Sequence, residues 1–198
     1  MKNSFFLILA IFVSGAFAQT STQLETDCNF NNASACAILA ERFDTGIVNK
    51  QAGRHPIDKA RAIELFQKSC DLNEPLSCGK LSLMYENGYG VKKDIFKAFE
   101  LVNKACNIGY ASACAYAGVL LYDGYGTRQD KFKAAELYKK GCDGRSVIGC
   151  QNLAIMYLVG EAVRQNKSKA MELFGLACDL KEQKGCDAYA KLKNEGVR

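Results

Sequence analysis

Ten cysteines stand in this chain at positions 28 and 36, 70 and 78, 106 and 114, 142 and 150, and 178 and 186. Each pair is eight residues apart, and from Cys70 onward successive pairs begin 36 residues apart, after a first interval of 42. A fixed period in the thirties points to a helical solenoid, because one two-helix unit cannot bury its apolar face alone and copies must stack. So many cysteines read as a disulfide framework in an oxidising compartment, and as metal or redox chemistry in a reducing one. A structural zinc site wants cysteine ligands about two to four residues apart. The spacing here is wider, and His55 is the one histidine. No metal or other cofactor is expected.

Laid over one another, the repeats show two helices each. In the first, helix A, Cys78, Leu81 and Tyr85 recur at i, i+3 and i+7, and Leu39 with Phe43 and Leu153 with Tyr157 repeat the stripe. Gly46, Gly88, Gly124 and Gly160 end it, where a left-handed residue is needed. Helix B opens at Asp58, Asp94, Asp130 and Asn166, whose short side-chain oxygens accept from first-turn amides. Its buried stripe is expected at Ala62 and Leu65, Ala98 and Leu101, Ala134 and Leu137, and Ala170 and Leu173. The longer first repeat takes its insertion around Val48 to Pro56. The units run about 28–69, 70–105, 106–141 and 142–177, with a half repeat over 178–198 that holds helix A only.

The eight-residue spacing places one cysteine at the end of a helix B and the other in the first turn of the next helix A. Antiparallel neighbours then set the sulfurs face to face. Pairing across eight residues uses all ten, whereas pairing Cys36 with Cys70 and so on strands Cys28 and Cys186. The expected bridges are Cys28–Cys36, Cys70–Cys78, Cys106–Cys114, Cys142–Cys150 and Cys178–Cys186. Compartment agrees: Lys2, the apolar run Phe5 to Val13 and Ala16-Phe17-Ala18 read as a secretory signal peptide over 1–18, cut after Ala18. That run is shorter than the ~20 residues that span a bilayer. The expected product is one domain, 19–198, secreted or periplasmic, monomeric and without a membrane span.

The string Tyr-x-x-Gly-x-Gly-Val-x-x-Asp-x-x-Lys-Ala-x-Glu-Leu, present as Tyr85 to Leu101, resembles the Sel1-like repeat, a relative of the tetratricopeptide repeat. With the cysteine pairs and the signal peptide, the chain is similar to the secreted Helicobacter cysteine-rich protein family. The resemblance implies an all-α, right-handed α/α superhelix with one bridge per repeat. It also implies two functions, an interaction scaffold or a weak penicillin-binding β-lactamase. The fourth repeat departs from the motif at Glu161, Ala162 and Asn166.

Composition sets outer limits. At 48% hydrophobic and 24% charged, the 198 residues are globular rather than disordered. A net charge of +5 is a mild excess that suits weak attraction to acidic surfaces and leaves no nucleic-acid footprint.

Residues repeated in every unit are explained by packing. Arg61, Lys97, Lys133 and Lys169, each followed three later by Glu64, Glu100, Glu136 or Glu172, read as exposed helix pairs. Tyr89 and Tyr125 read as aromatics packed in the glycine turns. A Ser-His-Asp or Cys-His mechanism would need His55, which lies in the inserted loop. Ser77-Cys78-Gly79-Lys80 spells the Ser-x-x-Lys of penicillin-recognising enzymes, in which the lysine one turn on takes the serine proton. No Ser-Asp-Asn or Lys-Thr-Gly accompanies it, and about one such string arises by chance in a chain like this. Ser77 and Lys80 are the sole candidates for acylation. By analogy with tetratricopeptide repeats, helix A lines a groove, with Gly79, Leu83 and Glu86, then Ala115, Val119 and Tyr122, then Gln151, Ile155 and Leu158 facing it. Such a groove suits a peptide, a protein or a cell-wall fragment.

Overall fold

The computed structural model describes residues 19–46 and 56–197. Residues 1–18, read above as a signal peptide, most of the expected insertion at Val48 to Pro56, and His55 lie outside the described residues. Ten helices follow one another: α1 (Ser21–Asn29), α2 (Ala33–Thr45), α3 (Lys59–Asp71), α4 (Pro75–Asn87), α5 (Ile95–Asn107), α6 (Ala111–Asp123), α7 (Lys131–Asp143), α8 (Val147–Val159), α9 (Lys167–Asp179) and α10 (Gln183–Asn194). Each packs on the next, so that helix A (even numbers) and helix B (odd numbers) alternate along a right-handed superhelix.

Local chemistry sets the boundaries. Asp58, Asp94, Asp130 and Asn166 accept from amides in the first turns of α3, α5, α7 and α9, which relieves donors that a helix start leaves without partners. Gly46, Gly88, Gly124 and Gly160 close α2, α4, α6 and α8 with φ of 66°, 75°, 72° and 80°. The opposite turns, from B to A, also reverse through a left-handed residue. Asn31, Asn73, Gly109, Arg145 and Lys181 hold it there, so glycine marks the position in one turn of the five.

All five expected bridges are formed, with Cα–Cα distances of 4.4–4.7 Å. Each joins the last turn of one helix B to the first turn of the next helix A. The described residues end with an A helix, α10. One stripe is displaced from its expected place: Leu65 and Leu137 are half-buried, while their neighbours Phe66 and Tyr138 fill the core. Tyr138 fits because residue 118 opposite is glycine; a Cβ there would meet the tyrosine ring at 2.8 Å.

Candidate functional site

Side chains of successive A helices meet, and α6 touches α8 directly. Polar bonds lace the face from repeat to repeat. The Lys80 ammonium on α4 pairs with Glu41 on α2. The Tyr116 hydroxyl on α6 bonds the Glu86 carboxylate on α4, 2.7 and 2.6 Å from its two oxygens. Burial, reinforced by that carboxylate, pushes the Tyr116 phenol well above its ordinary value.

At the next step Tyr122 on α6 donates to Glu161 at 2.5 Å, and Lys131 reaches the other Glu161 oxygen at 2.5 Å. The Lys131 ammonium also stands 4.7 Å from the Tyr122 ring centre, within cation–π range. The hydrogen bond from Lys131 leads in lowering the Glu161 pKa, and the Tyr122 hydroxyl adds to it. Glu161 thus departs from the repeat pattern because it clasps two neighbours. Comparison of repeats located the departure. What it could not supply was the partner, since Lys131 belongs to the preceding helix B.

Between these polar clasps, aliphatic side chains at one register face outward. Leu83 and Ile155 are each 48% exposed, and Val119 between them is half-buried. Gln151 and Leu158 are half-buried too. Ala115 is not on the surface as expected: it is fully buried, and Gly141 lies so near that a Cβ added there would stand 3.1 Å from the alanine methyl. Its small size serves helix approach.

The structure does not bring Ser77 and Lys80 together. Ser77 is 1% exposed and donates to Ser69 at 2.8 Å, and Ser69 in turn donates to the Ala33 carbonyl at 2.8 Å. The corresponding pairs in the next repeats are Ala105 with Ala113 and Gly141 with Gly149. Positions 69 and 77 are therefore the small residues of a tight helix crossing, and two hydroxyls fit there because they satisfy each other. Lys80 is held on the open face by Glu41. Ser77→Ala should change stability by no more than about 1 kcal/mol in chemical denaturation, since Ser69 keeps its carbonyl and Ala113 shows that alanine fits.

The exposed-pair expectation holds for Lys97 with Glu100 and Lys169 with Glu172. Arg61 instead reaches Glu25 on α1. Tyr89 was expected to pack in its turn; it is largely exposed, and Tyr125 is partly so.

Comparison with known proteins gives four matches to the Sel1 repeat model, over residues 33–74, 75–110, 111–146 and 147–182. Each begins at the first residue of an A helix, so the three middle bridges cross from one matched unit to the next, while Cys28 and Cys186 lie outside the matched ranges. No curated protein matches. Among solved structures, a protective antigen of uropathogenic Escherichia coli with an SLR fold is 22% identical at a TM-score of 0.80, over 90% of this chain and 37% of that one. A Sel1 repeat protein from Oxalobacter formigenes is 21% identical at 0.72, over 83% and 65%. Helicobacter pylori cysteine rich protein B is 26% identical at 0.50, over 67% and 96%. The chain spans less than two thirds of the first two.

Proposed function

The chain belongs to the Sel1 repeat family, and from that premise we propose that it is an extracytoplasmic scaffold whose A-helix face binds a peptide or protein segment. The observation that carries this is the register of Leu83, Val119 and Ile155. Three aliphatic side chains recur on successive helices, bracketed by fixed polar groups at Lys80–Glu41, Tyr116–Glu86 and Tyr122–Glu161–Lys131. An apolar strip with fixed polar groups between its repeats favours an amphipathic or extended segment over a compact small molecule. Five bridges support a secreted or periplasmic location, since such bonds persist where glutathione does not reduce them; the chain would be cut after Ala18 on its way there. A cell-wall peptide would meet the same face.

The test is a displayed peptide library selected on the oxidised protein. Leu83→Asp with Ile155→Asp should weaken the selected peptides at least about tenfold while the thermal midpoint moves by a few degrees at most, because both positions are half in solvent. Tyr122→Ala should weaken them as well by removing one of the two groups that anchor Glu161. Peptides that bind both variants as they bind the wild type would remove this face from consideration.

A further inference from the structure

The turns that lead from helix A to helix B stack in a row along one edge. A Cβ on Gly90 would meet Lys59 at the start of α3, and one on Gly126 would meet Ile95 at the start of α5. That edge shares the Glu161–Lys131 pair with the binding face and has two further features. The first is apolar: Phe96 and Phe132 hold the same place in the first turns of α5 and α7 and are 66% and 72% exposed. Tyr89 and Tyr125 lie in the adjoining turns. The second is charge. The segments 89–97, 125–133 and 161–169 each carry three basic residues and one acidic residue, so their combined excess is greater than the +5 of the whole chain. Lys92, Lys93, Arg128, Lys133 and Arg164 have no ion-pair partner among the described residues. Asp94 and Asp130, the acidic members in the first two segments, are engaged as helix caps.

We propose that this edge docks on an anionic lipid bilayer. Basic side chains near such a surface gain Coulomb energy, and aromatic rings standing proud of a ridge bury themselves at the headgroup boundary without needing a groove. A soluble polyanion would satisfy the lysines and leave both phenylalanines in water, so the rings favour the bilayer. No helix of the described residues is long and apolar enough to cross a membrane, so the contact is peripheral. It is independent of peptide binding on the A-helix face.

Vesicle co-sedimentation of the oxidised protein tests it, with phosphatidylcholine alone and with equal parts phosphatidylcholine and phosphatidylglycerol. Binding should be at least about tenfold stronger on the anionic vesicles and should fall as salt rises from 50 to 300 mM, roughly a halving or more of the screening length. Phe96→Ser with Phe132→Ser should lose about tenfold with charge unchanged; serine stands at this place in the following repeat, as Ser168. Lys92→Gln, Lys93→Gln and Arg128→Gln together should lose at least as much. Equal binding to neutral and anionic vesicles overturns the proposal. So does undiminished binding by the phenylalanine variant, which would leave simple charge attraction, of the kind heparin would share.

Discussion

Complete reduction of the five disulfides is expected to unfold this protein at room temperature. Each bridge closes a loop of nine residues, which on the chain-entropy model contributes about 2.6 kcal/mol. Five such terms reach on the order of 10 kcal/mol, comparable to the 5–15 kcal/mol that is the whole net stability of an ordinary domain. The location of the bridges sharpens the expectation. Each ties a helix B to the next helix A, as Cys106 on α5 ties to Cys114 on α6, and in a solenoid every unit rests on its neighbours alone. Removing a central bridge therefore weakens the coupling on which both halves depend. Cys106→Ala with Cys114→Ala should lower stability by about 2.6 kcal/mol, with alanine chosen so that no hydroxyl is stranded in the core. Cys178→Ala with Cys186→Ala should fray α10 and leave amide protection in α4 to α7 unchanged. Denaturation followed by circular dichroism, with free thiols counted, measures the first effect, and hydrogen exchange the second. An unchanged, cooperative transition after all ten thiols are free would show that packing alone holds the superhelix.

The helices and bridges were legible because each is written in local chemistry that recurs. A cap at Asp94 and a stop at Gly88 need no knowledge of distant residues. The site was less legible because its geometry depends on pairs from different repeats. Tyr116 and Glu86 are 30 residues apart, and Lys80 and Glu41 are 39 apart. The Ser77 string reads as chemical because it spells Ser-x-x-Lys, yet position 77 is one that admits any small side chain. Serine there needed a second serine at 69, and only the folded crossing joins them. Likewise Ala115 looked like a groove residue from its phase on helix A, but in a superhelix the small positions are consumed by the neighbouring helix. The exposed Phe96 and Phe132 were readable as residues and not as surface, since helical phase alone does not tell an exposed edge from a core.

Gly126→Ala is expected to be the most damaging single methyl that can be added to these turns, at about 2–4 kcal/mol. Its φ is +68°, and a Cβ would stand 2.2 Å from the Ile95 carbonyl oxygen and 2.9 Å from its carbon. Both are backbone atoms of α5, so no rotamer change relieves the contact. About 1 kcal/mol comes from holding alanine left-handed, and the remainder from driving the turn away from the helix it rests on. The equivalent place one repeat later already holds a non-glycine residue, Ala162, at φ 55°. There the turn is gripped through Glu161 by Tyr122 and Lys131, bonds that Tyr89 and Tyr125 at the same position do not make among the described residues. Ala162→Gly should accordingly change stability by less than about 1 kcal/mol, because relief of the left-handed strain opposes the added freedom of the unfolded chain. Urea denaturation of the two variants decides the matter. Similar small effects at both positions would mean that the A-to-B turns are not seated on the preceding helix, and would also undo the rigid row of turns on which the proposed lipid-facing edge depends.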